Sequence, residues 1–276
     1  MKRYLDDEHF KRFIKDFQFL FKHIRDSHGE LDLRLRSNYF NIYSCGKRMA
    51  IIQFRETDYL VAINQKFADG VYDQDQISLK VMDTVNQLEG YNRYRITPEL
   101  LHHFFQPKHL NKLASKGKNI YCSEKLAFEQ ALITDNIGRE DYLIIDRIVT
   151  DTALGRSWID LLGLKQVSGR SYSFELIKIK LGNSSDLKAE VGMQLESYIN
   201  HIQANIMQWK ENYEKVYQQL KQAGLFDKPS ASEIVITPEV SGRVVVVGYS
   251  GIARKYIDIL KQGYPDLYVE QRDFLL

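Results

Sequence analysis

The sequence predicts an α/β protein in two parts: a three-layer domain with a mixed central sheet over residues 113–276, preceded by a smaller α+β module over residues 1–112. Three observations support this prediction. Early in the chain the spacing of apolar residues changes from a helical period to a two-residue period. In the second half, helical and strand patterns alternate. An apolar run over 243–247 is typical of a strand that is buried on both faces.

The N-terminal module is predicted to be an amphipathic helix followed by an antiparallel meander. The helix covers residues 7–27, where apolar residues form one stripe at three- and four-residue spacings: Phe10, Phe13, Ile14, Phe17, Phe21 and Ile24. The strands of the meander are predicted at residues 31–35, 40–43, 49–54 and 59–63. Short helices are predicted at 81–88 and, after the start signal Thr97-Pro98, at 99–105.

The second half predicts a helix, three strands, a long helix, a buried strand and a closing helix. Their ranges are 123–133, then 142–149, 157–164 and 172–181, then 187–223, 243–247 and 252–260. The long helix carries a near-heptad apolar stripe: Val191, Leu195, Tyr198, Ile202, Trp209, Tyr213, Val216 and Leu220. Gly224 follows it in the position where glycine commonly ends a helix.

Composition excludes several classes of protein. Hydrophobic residues make up 44% and charged residues 27% of the chain, which is a globular rather than a disordered composition. No apolar run approaches the roughly 20 residues that span a bilayer, and the N-terminus lacks a signal-peptide stretch, so we expect a cytoplasmic protein with no membrane partner. Two distant cysteines, Cys45 and Cys122, argue against a disulfide framework or a structural zinc site. Gly-rich phosphate loops, nucleophile elbows and His-Glu-x-x-His helices are absent from the sequence.

One basic segment stands out in a chain whose net charge is only +2. Residues 100–123 contain no Asp or Glu, and they carry four lysines: Lys108, Lys112, Lys116 and Lys118. Clustered lysines are how a nearly neutral protein contacts a nucleic-acid backbone. The alternative is a solvated linker helix between domains.

The second half also places charged residues where a core strand should be apolar. Asp160 interrupts the apolar strand 157–164, and a buried aspartate is costly unless it is paired or binds a metal. On the next strand, Lys178 and Lys180 point to the same face because side chains alternate. Glu190, Gln194 and Tyr198 are spaced by four and therefore line one face of the following helix.

In this order, these motifs resemble the PD-(D/E)XK nuclease superfamily, and in particular its RecB-like branch. The resemblance is carried by Ile159-Asp160-Leu161-Leu162, by the x-x-Lys-x-Gly strand ending at Lys180-Leu181-Gly182, and by Gln194-x-x-x-Tyr198. It covers roughly residues 120–225 and implies a restriction-endonuclease-like fold. It also implies hydrolysis of phosphodiester bonds in nucleic acid, most readily DNA, in defence, repair or mobile-element biology.

In such enzymes the Asp and Glu hold one or two divalent cations and the Lys orients or activates the attacking water. Hard oxygen ligands suit Mg²⁺ or Mn²⁺, which lowers the pKa of a bound water and neutralises charge on the phosphate. The resemblance thus implies catalytic roles for Asp160, Lys180, Gln194 and Tyr198. An acid on the preceding helix often joins the site, and both Glu124 and Glu129 are candidates, with an ordinary exposed helix glutamate as the alternative.

This chain departs from the family at Lys178, which stands where the family has Glu. A charged lysine cannot ligate a cation and repels it at contact distance. Three interpretations follow. The site is degenerate and binds nucleic acid without cutting it; or a bulge brings Glu175 round to replace the missing carboxylate; or Glu190 supplies it from the helix. The metal ligands would then be Asp160 with Glu175 or Glu190.

Structural alternatives stand beside these roles. Asp160 could be paired with Lys180 without any catalysis, and Gln194 and Tyr198 could simply pack on the sheet. A non-catalytic interaction protein is the rival function. In that interpretation the apolar stripe of helix 187–223 would drive partner binding or a homodimer.

Overall fold

The computed structural model describes residues 2–72, 90–120, 122–155, 157–188 and 190–273. The chain divides into two compact units. The N-terminal unit comprises Lys2–Leu126 and Gln219–Leu225, and the C-terminal unit comprises Ala127–Gln218 and Phe226–Leu276. Sequence reasoning expected the division at residues 112 and 113.

The N-terminal unit is an antiparallel sheet with helices. In chain order its elements are α1 Asp7–Asp26, β1 Leu31–Leu35, β2 Tyr39–Ser44, β3 Lys47–Phe54, β4 Tyr59–Asn64, α2 Gln65–Ala68, β5 Tyr91–Ile96, α3 Pro98–Phe104 and α4 Pro107–Asn119. The strands pair in the order β1-β2-β3-β4-β5, each antiparallel to the next. The predicted helix and meander are confirmed, while the helix predicted at 81–88 lies outside the described residues.

The core of this unit forms where the stripe of α1 meets the meander. Phe13 and Phe17 are fully buried, and the Phe17 ring contacts both Phe40 on β2 and Tyr59 on β4, with ring centroids 4.9 and 5.0 Å away. Asp6 caps the helix by accepting a hydrogen bond from the backbone N–H of His9. The helical period of the sequence is therefore explained by burial of one aromatic face.

The C-terminal unit is built on a second, mixed sheet. Its elements are α5 Glu124–Asp135, β6 Tyr142–Val149, β7 Ile159–Ser168, β8 Ser171–Leu181, α6 Glu190–Ala204, α7 Ile206–Gln222, β9 Val235–Val247, α8 Ser250–Gly263 and β10 Tyr268–Arg272. The start of α5, up to Leu126, and the end of α7, from Gln219, belong to the N-terminal unit. The strand order is β10-β9-β8-β7-β6. β6, β7 and β8 form an antiparallel meander, whereas β9 runs parallel to β8 and β10 parallel to β9. The mixed α/β architecture predicted from the sequence is present.

Helices cover both faces of this sheet. On one face Phe128, Leu132 and Ile133 of α5 pack on a cluster that includes Ile177 and Ile179 of β8. On the other face the rings of Trp209 and Tyr213 on α7 contact Phe174, which points away from Ile177 because side chains alternate along β8. The strand β8 therefore runs through the centre of the core and presents different residues to each helical layer.

The prediction of one long helix over 187–223 is wrong. The chain turns at Asn205, which separates α6 from α7. The predicted heptad stripe is also not a free surface: Val191, Leu195, Tyr198, Ile202, Trp209, Tyr213, Val216 and Leu220 are all buried. The stripe packs inside the monomer, so it does not support the homodimer for which it was invoked. None of the described helices is long and apolar enough to cross a membrane.

Candidate functional site

The candidate site lies at the start of β7, where Asp160 interrupts an apolar strand. Its neighbours Ile159 and Leu161 are fully buried, and Asp160 itself is almost fully buried. Asp160 Oδ2 accepts a hydrogen bond from the backbone N–H of Ile179 at 2.7 Å, and Oδ1 accepts one from Trp158 Nε1 at 3.2 Å. Both carboxylate oxygens are therefore occupied by protein donors, which is what a buried carboxylate requires.

Lys178 is buried beside this carboxylate. Leu161 pairs with Ile177 in the β7–β8 register, so the next step of the register brings Asp160 and Lys178 side by side on one face. Lys178 Nζ donates to the backbone carbonyl of Trp158 at 2.7 Å and lies 5.5 Å from the centroid of the Trp158 ring. Asp160 and Lys178 thus bind the same residue from two directions, and they form a buried pair of opposite charges.

Lys180 finds a partner that sequence reasoning missed. Its Nζ donates to Asp186 Oδ2, in the short turn Ser185–Lys188 that leads into α6. The hydrogen bond from Lys180 and the positive charges of Lys180 and Lys178 hold the pKa of Asp186 below its usual value of 3.8, against a smaller opposing effect of burial. The alternative in which Lys180 is the partner of Asp160 is therefore wrong. The only sequence signal for the pairing with Asp186 was an acidic residue in the turn that follows the strand.

The helix motif divides into a buried and an exposed part. Tyr198 is fully buried, and its hydroxyl donates to the carbonyl of Ser157 at 2.7 Å. It therefore fixes the segment that leads into Trp158 and Asp160. Glu190 is exposed and accepts a hydrogen bond from Gln194 Nε2 at 2.8 Å. The carboxylate of Glu190 is therefore hydrogen-bonded to a residue one turn further along the same helix.

Glu175 does not reach Asp160. The pairing of β8 is regular from Glu175 to Ile177 against β7 and from Glu175 to Lys178 against β9, so the bulge that would bring Glu175 round is absent from this part of the strand. Glu175 projects from the other face, where it accepts a hydrogen bond from the Tyr142 hydroxyl and lies 3.5 Å from Nη1 of Arg243. The interpretation in which Glu175 replaces the missing carboxylate is therefore corrected.

Glu129 on the preceding helix does not reach Asp160 either. Glu129 is buried, and its Oε2 accepts from Arg147 Nη2 at 3.3 Å. Arg147 pairs with Leu161 in the β6–β7 register, so it projects from the face opposite to Asp160. Glu124 is exposed at the first residue of α5, within the N-terminal unit. Glu129 is better explained as the partner of a buried arginine than as a metal ligand.

The described residues do not fit a magnesium or manganese centre. No three His, Cys, Asp or Glu side chains among them are grouped as a metal site needs. Asp160 already accepts two hydrogen bonds, and its neighbour across the strands is an ammonium group. Mg²⁺ binds through carboxylates and waters in open octahedral geometry, and a cation beside Lys178 would be repelled.

The lysine strip lies on α4 of the N-terminal unit. Two of its members are engaged there: Lys116 pairs with Asp69 at 3.4 Å and Lys118 pairs with Glu30 at 2.7 Å. Lys108 and Lys112 are exposed on the same helix. The strip is therefore partly used for local ion pairs.

Comparisons with protein-family models, with curated proteins and with solved structures give no match. The case for any function therefore depends on the geometry described above.

Proposed function

We propose that the C-terminal unit is a PD-(D/E)XK-like, three-layer domain whose catalytic centre is degenerate, and that it binds nucleic acid without cutting it. The observation that carries the proposal is Lys178. Its buried ammonium group stands beside Asp160, at the position where the family has a metal-binding glutamate. Asp160, Lys180 and Tyr198 match the family's motifs, but Lys178 adds the positive charge that favours a bound phosphate over a bound cation.

The architecture is consistent with this proposal. A helix, an antiparallel meander of three strands, a helix pair and a parallel strand follow one another in the C-terminal unit, with helices on both faces of a mixed sheet. Such an order is compatible with the three-layer arrangement that the motifs imply. It supports the family more than it supports any activity, since one fold serves many functions.

Exposed cations lie at the same end of the sheet as the site. Because β8 and β9 are parallel, the residues that follow them lie at the same end of the sheet. Gly182, after β8, approaches the carbonyl of Gly248, after β9, so closely that a Cβ on Gly182 would lie 2.3 Å from the oxygen. Lys188, in the turn after β8, and Arg254, in the first turns of α8, are both exposed. Together with Lys180 they offer a phosphate backbone several positive charges. Lys108 and Lys112 are a second candidate contact in the N-terminal unit.

The test compares cleavage and binding in the wild type and in Lys178→Glu. We expect the wild type to bind labelled DNA with an affinity that falls steeply with salt, and to leave linear and single-stranded DNA intact in Mg²⁺ and in Mn²⁺. Lys178→Glu restores the family's carboxylate next to Asp160. Its two buried acids should repel each other, so its melting temperature should rise when Mg²⁺ or Mn²⁺ is added, and cleavage should appear.

Lys165→Glu is the matched control, because it makes the same charge change at an exposed position of β7. Its melting temperature should not respond to metal. Cleavage by the wild type that Asp160→Asn abolishes would show that the site is an active nuclease and that the degenerate interpretation is wrong. Absence of DNA binding under low salt would refute the proposal altogether.

A further inference from the structure

Trp158 is held more firmly than an exposed aromatic residue usually is. It is 45% exposed. Nevertheless its indole N–H donates to Asp160, its carbonyl accepts from Lys178, and the Lys178 ammonium lies 5.5 Å from its ring centroid. Two buried charges therefore fix one surface ring. The Tyr198 hydroxyl fixes the preceding residue as well, by donating to the Ser157 carbonyl.

A fixed, exposed indole has a physical use. Stacking a flat ligand on a mobile side chain loses rotamer entropy, and a side chain that is already held avoids that loss. The Lys178 ammonium and the Asp160 carboxylate thereby gain a role that neither has in a metal centre. They orient an aromatic surface beside the cations of the proposed nucleic-acid site.

A second exposed aromatic residue lies at the same end of the sheet. Tyr249 is 42% exposed and directly follows β9 and Gly248. Its backbone is in the left-handed region, with φ of 53°, which is costly for a residue of this size and is typical of functional positions. Its Cβ lies 3.2 Å from where a Cβ on Gly182 would be, which places it at the end of β8.

The spacing of these two residues suits a nucleic-acid strand. Trp158 precedes β7 and Tyr249 follows β9, with β8 and its Lys180 between them. The β7–β8 register, continued, makes Trp158 level with Lys180, which pairs with Val246 on β9. Tyr249 therefore lies two strand spacings across the sheet and three residues further along, which is about 14 Å in all. That is the length of about four stacked nucleotides at roughly 3.4 Å each. Cations between two aromatic residues are the arrangement that binds single strands without sequence preference.

From this geometry we infer that the ligand of the proposed site is single-stranded nucleic acid, with one base stacked on Trp158 and its phosphates beside Lys180 and Lys188. The inference rests on the proposed function and narrows its substrate class. Bases in a duplex are stacked on one another, so a duplex cannot offer a base face to Trp158 unless a base is flipped out.

Tryptophan fluorescence tests the inference in the intact wild-type chain. The chain has two tryptophans, and Trp209 is 1% exposed, so a base that stacks on the protein surface reaches Trp158 alone. We expect titration with a single-stranded oligothymidylate to quench the emission, whereas a duplex of equal length causes little quenching. We also expect the single strand to bind at least about 10-fold more tightly than the duplex at the same salt concentration.

Variants separate stacking from charge. Trp158→Ala should weaken single-strand binding by about 10-fold, and Trp158→Phe, which keeps a stacking ring, should retain most of the affinity but lose the quenching. The matched control is Tyr268→Ala, which removes a 60% exposed aromatic residue that pairs with Arg243 of β9, on the face of the sheet that carries Glu175. Its affinity should be unchanged. Circular dichroism checks that each variant is folded.

Three results would count against the inference, and they have different meanings. The first is equal affinity for duplex and single strand, without quenching, while Lys180→Ala still weakens binding. That result would keep the proposed function but would show that Trp158 takes no part in it. No binding to either form would remove both proposals. Quenching that persists in Trp158→Phe would also count against the inference, because it would assign the signal to Trp209.

Discussion

Glu175 and Lys178 lie three residues apart on β8, yet the two faces of the sheet treat their charges in opposite ways. Glu175 belongs to a network that connects four strands: the Tyr142 hydroxyl of β6 donates to it, Arg243 of β9 lies beside it, and Arg243 also pairs with Glu270 of β10. Lys178 belongs to a small group at the end of the sheet, with Asp160 and a half-exposed indole.

The ionisation of the first network is strongly biased toward the paired state. Burial, reinforced by the Glu175 carboxylate, raises the pKa of the Tyr142 hydroxyl well above its usual value and keeps it a donor. Burial alone would lower the pKa of Arg243, but the hydrogen bond with Glu270 and the charges of Glu175 and Glu270 raise it. Glu175, Tyr142 and Arg243 also line a cleft of about 770 Å³, so solvent reaches one side of their network.

This difference teaches that a buried carboxylate does not by itself indicate a metal site. Glu175 has the residue type that a metal site needs, but its partners are a tyrosine and an arginine that join strands. Asp160 has it too, but its neighbour across the strands is the Lys178 ammonium group. The partners across the sheet, rather than the residue type, decide what each acid does.

The largest expected effect breaks the network on the Glu175 face. Glu175→Ala removes the acceptor of the buried Tyr142 hydroxyl and one partner of Arg243, so it should lower the free energy of unfolding by about 3 kcal/mol. Urea denaturation measures this change. DNA binding should be unaffected. Glu175→Gln keeps an acceptor for Tyr142 and should cost less, and a loss of DNA binding without a loss of stability would contradict the assignment.

The sequence predicted much of the fold because burial on one face leaves a period in the residues. The stripe of α1 and the alternating strands β1 to β4 and β6 to β8 were found in this way. The break at Asn205 was missed because α6 and α7 are both buried through the same stripe, and the period therefore continues across a one-residue turn. β10 was missed because its five residues, Tyr268–Arg272, are mostly exposed at the edge of the sheet.

The candidate site was predictable only as far as strand geometry reaches. Alternation along β8 sends Glu175 away from Lys178 and Lys180, and no further information is needed for that step. The role of Trp158 was not predictable. In the sequence it is one more apolar residue before a strand, and nothing there shows that its indole N–H donates to Asp160. Asp186 was missed because its pairing with Lys180 depends on the path of a turn.

A smaller effect tests how closely the Glu175 network is packed. A Cβ on Gly163 of β7 would lie 2.4 Å from the Tyr142 hydroxyl oxygen and 2.8 Å from its Cζ. Gly163→Ala should therefore displace Tyr142 from Glu175 and lower the free energy of unfolding by about 2 kcal/mol. The cost should be smaller in a Tyr142→Phe background, because the hydroxyl that clashes and the hydrogen bond that breaks are both already absent.

Gly251→Ala is the matched control for this substitution. Gly251 lies in α8 of the same unit, and a Cβ there meets nothing within 4 Å. It should leave stability unchanged or raise it slightly, since alanine favours a helix. Equal costs of Gly163→Ala in the wild type and in Tyr142→Phe would show that Tyr142 is not the reason for the glycine.

The smallest expected effect concerns the Lys178 face. Asp186→Asn removes the partner of Lys180, and because this pair is partly exposed it should cost only about 0.5 kcal/mol at neutral pH. The pKa of Asp186 is lowered in the folded protein, so its stabilising effect is complete above the usual carboxyl pKa of 3.8 and is lost as pH falls through the lowered value. The stability difference between wild type and variant should therefore disappear in strong acid.

The same substitution should have the opposite sign in binding. It leaves the Lys180 ammonium without its carboxylate partner and removes a negative charge from the proposed phosphate site, so DNA affinity should rise by about two- to threefold at low salt. Glu270→Gln neutralises an acid in the network on the other face and should leave affinity unchanged. If the two substitutions changed DNA affinity equally, binding would follow the net charge of the unit, and the difference between the two faces would have no functional meaning.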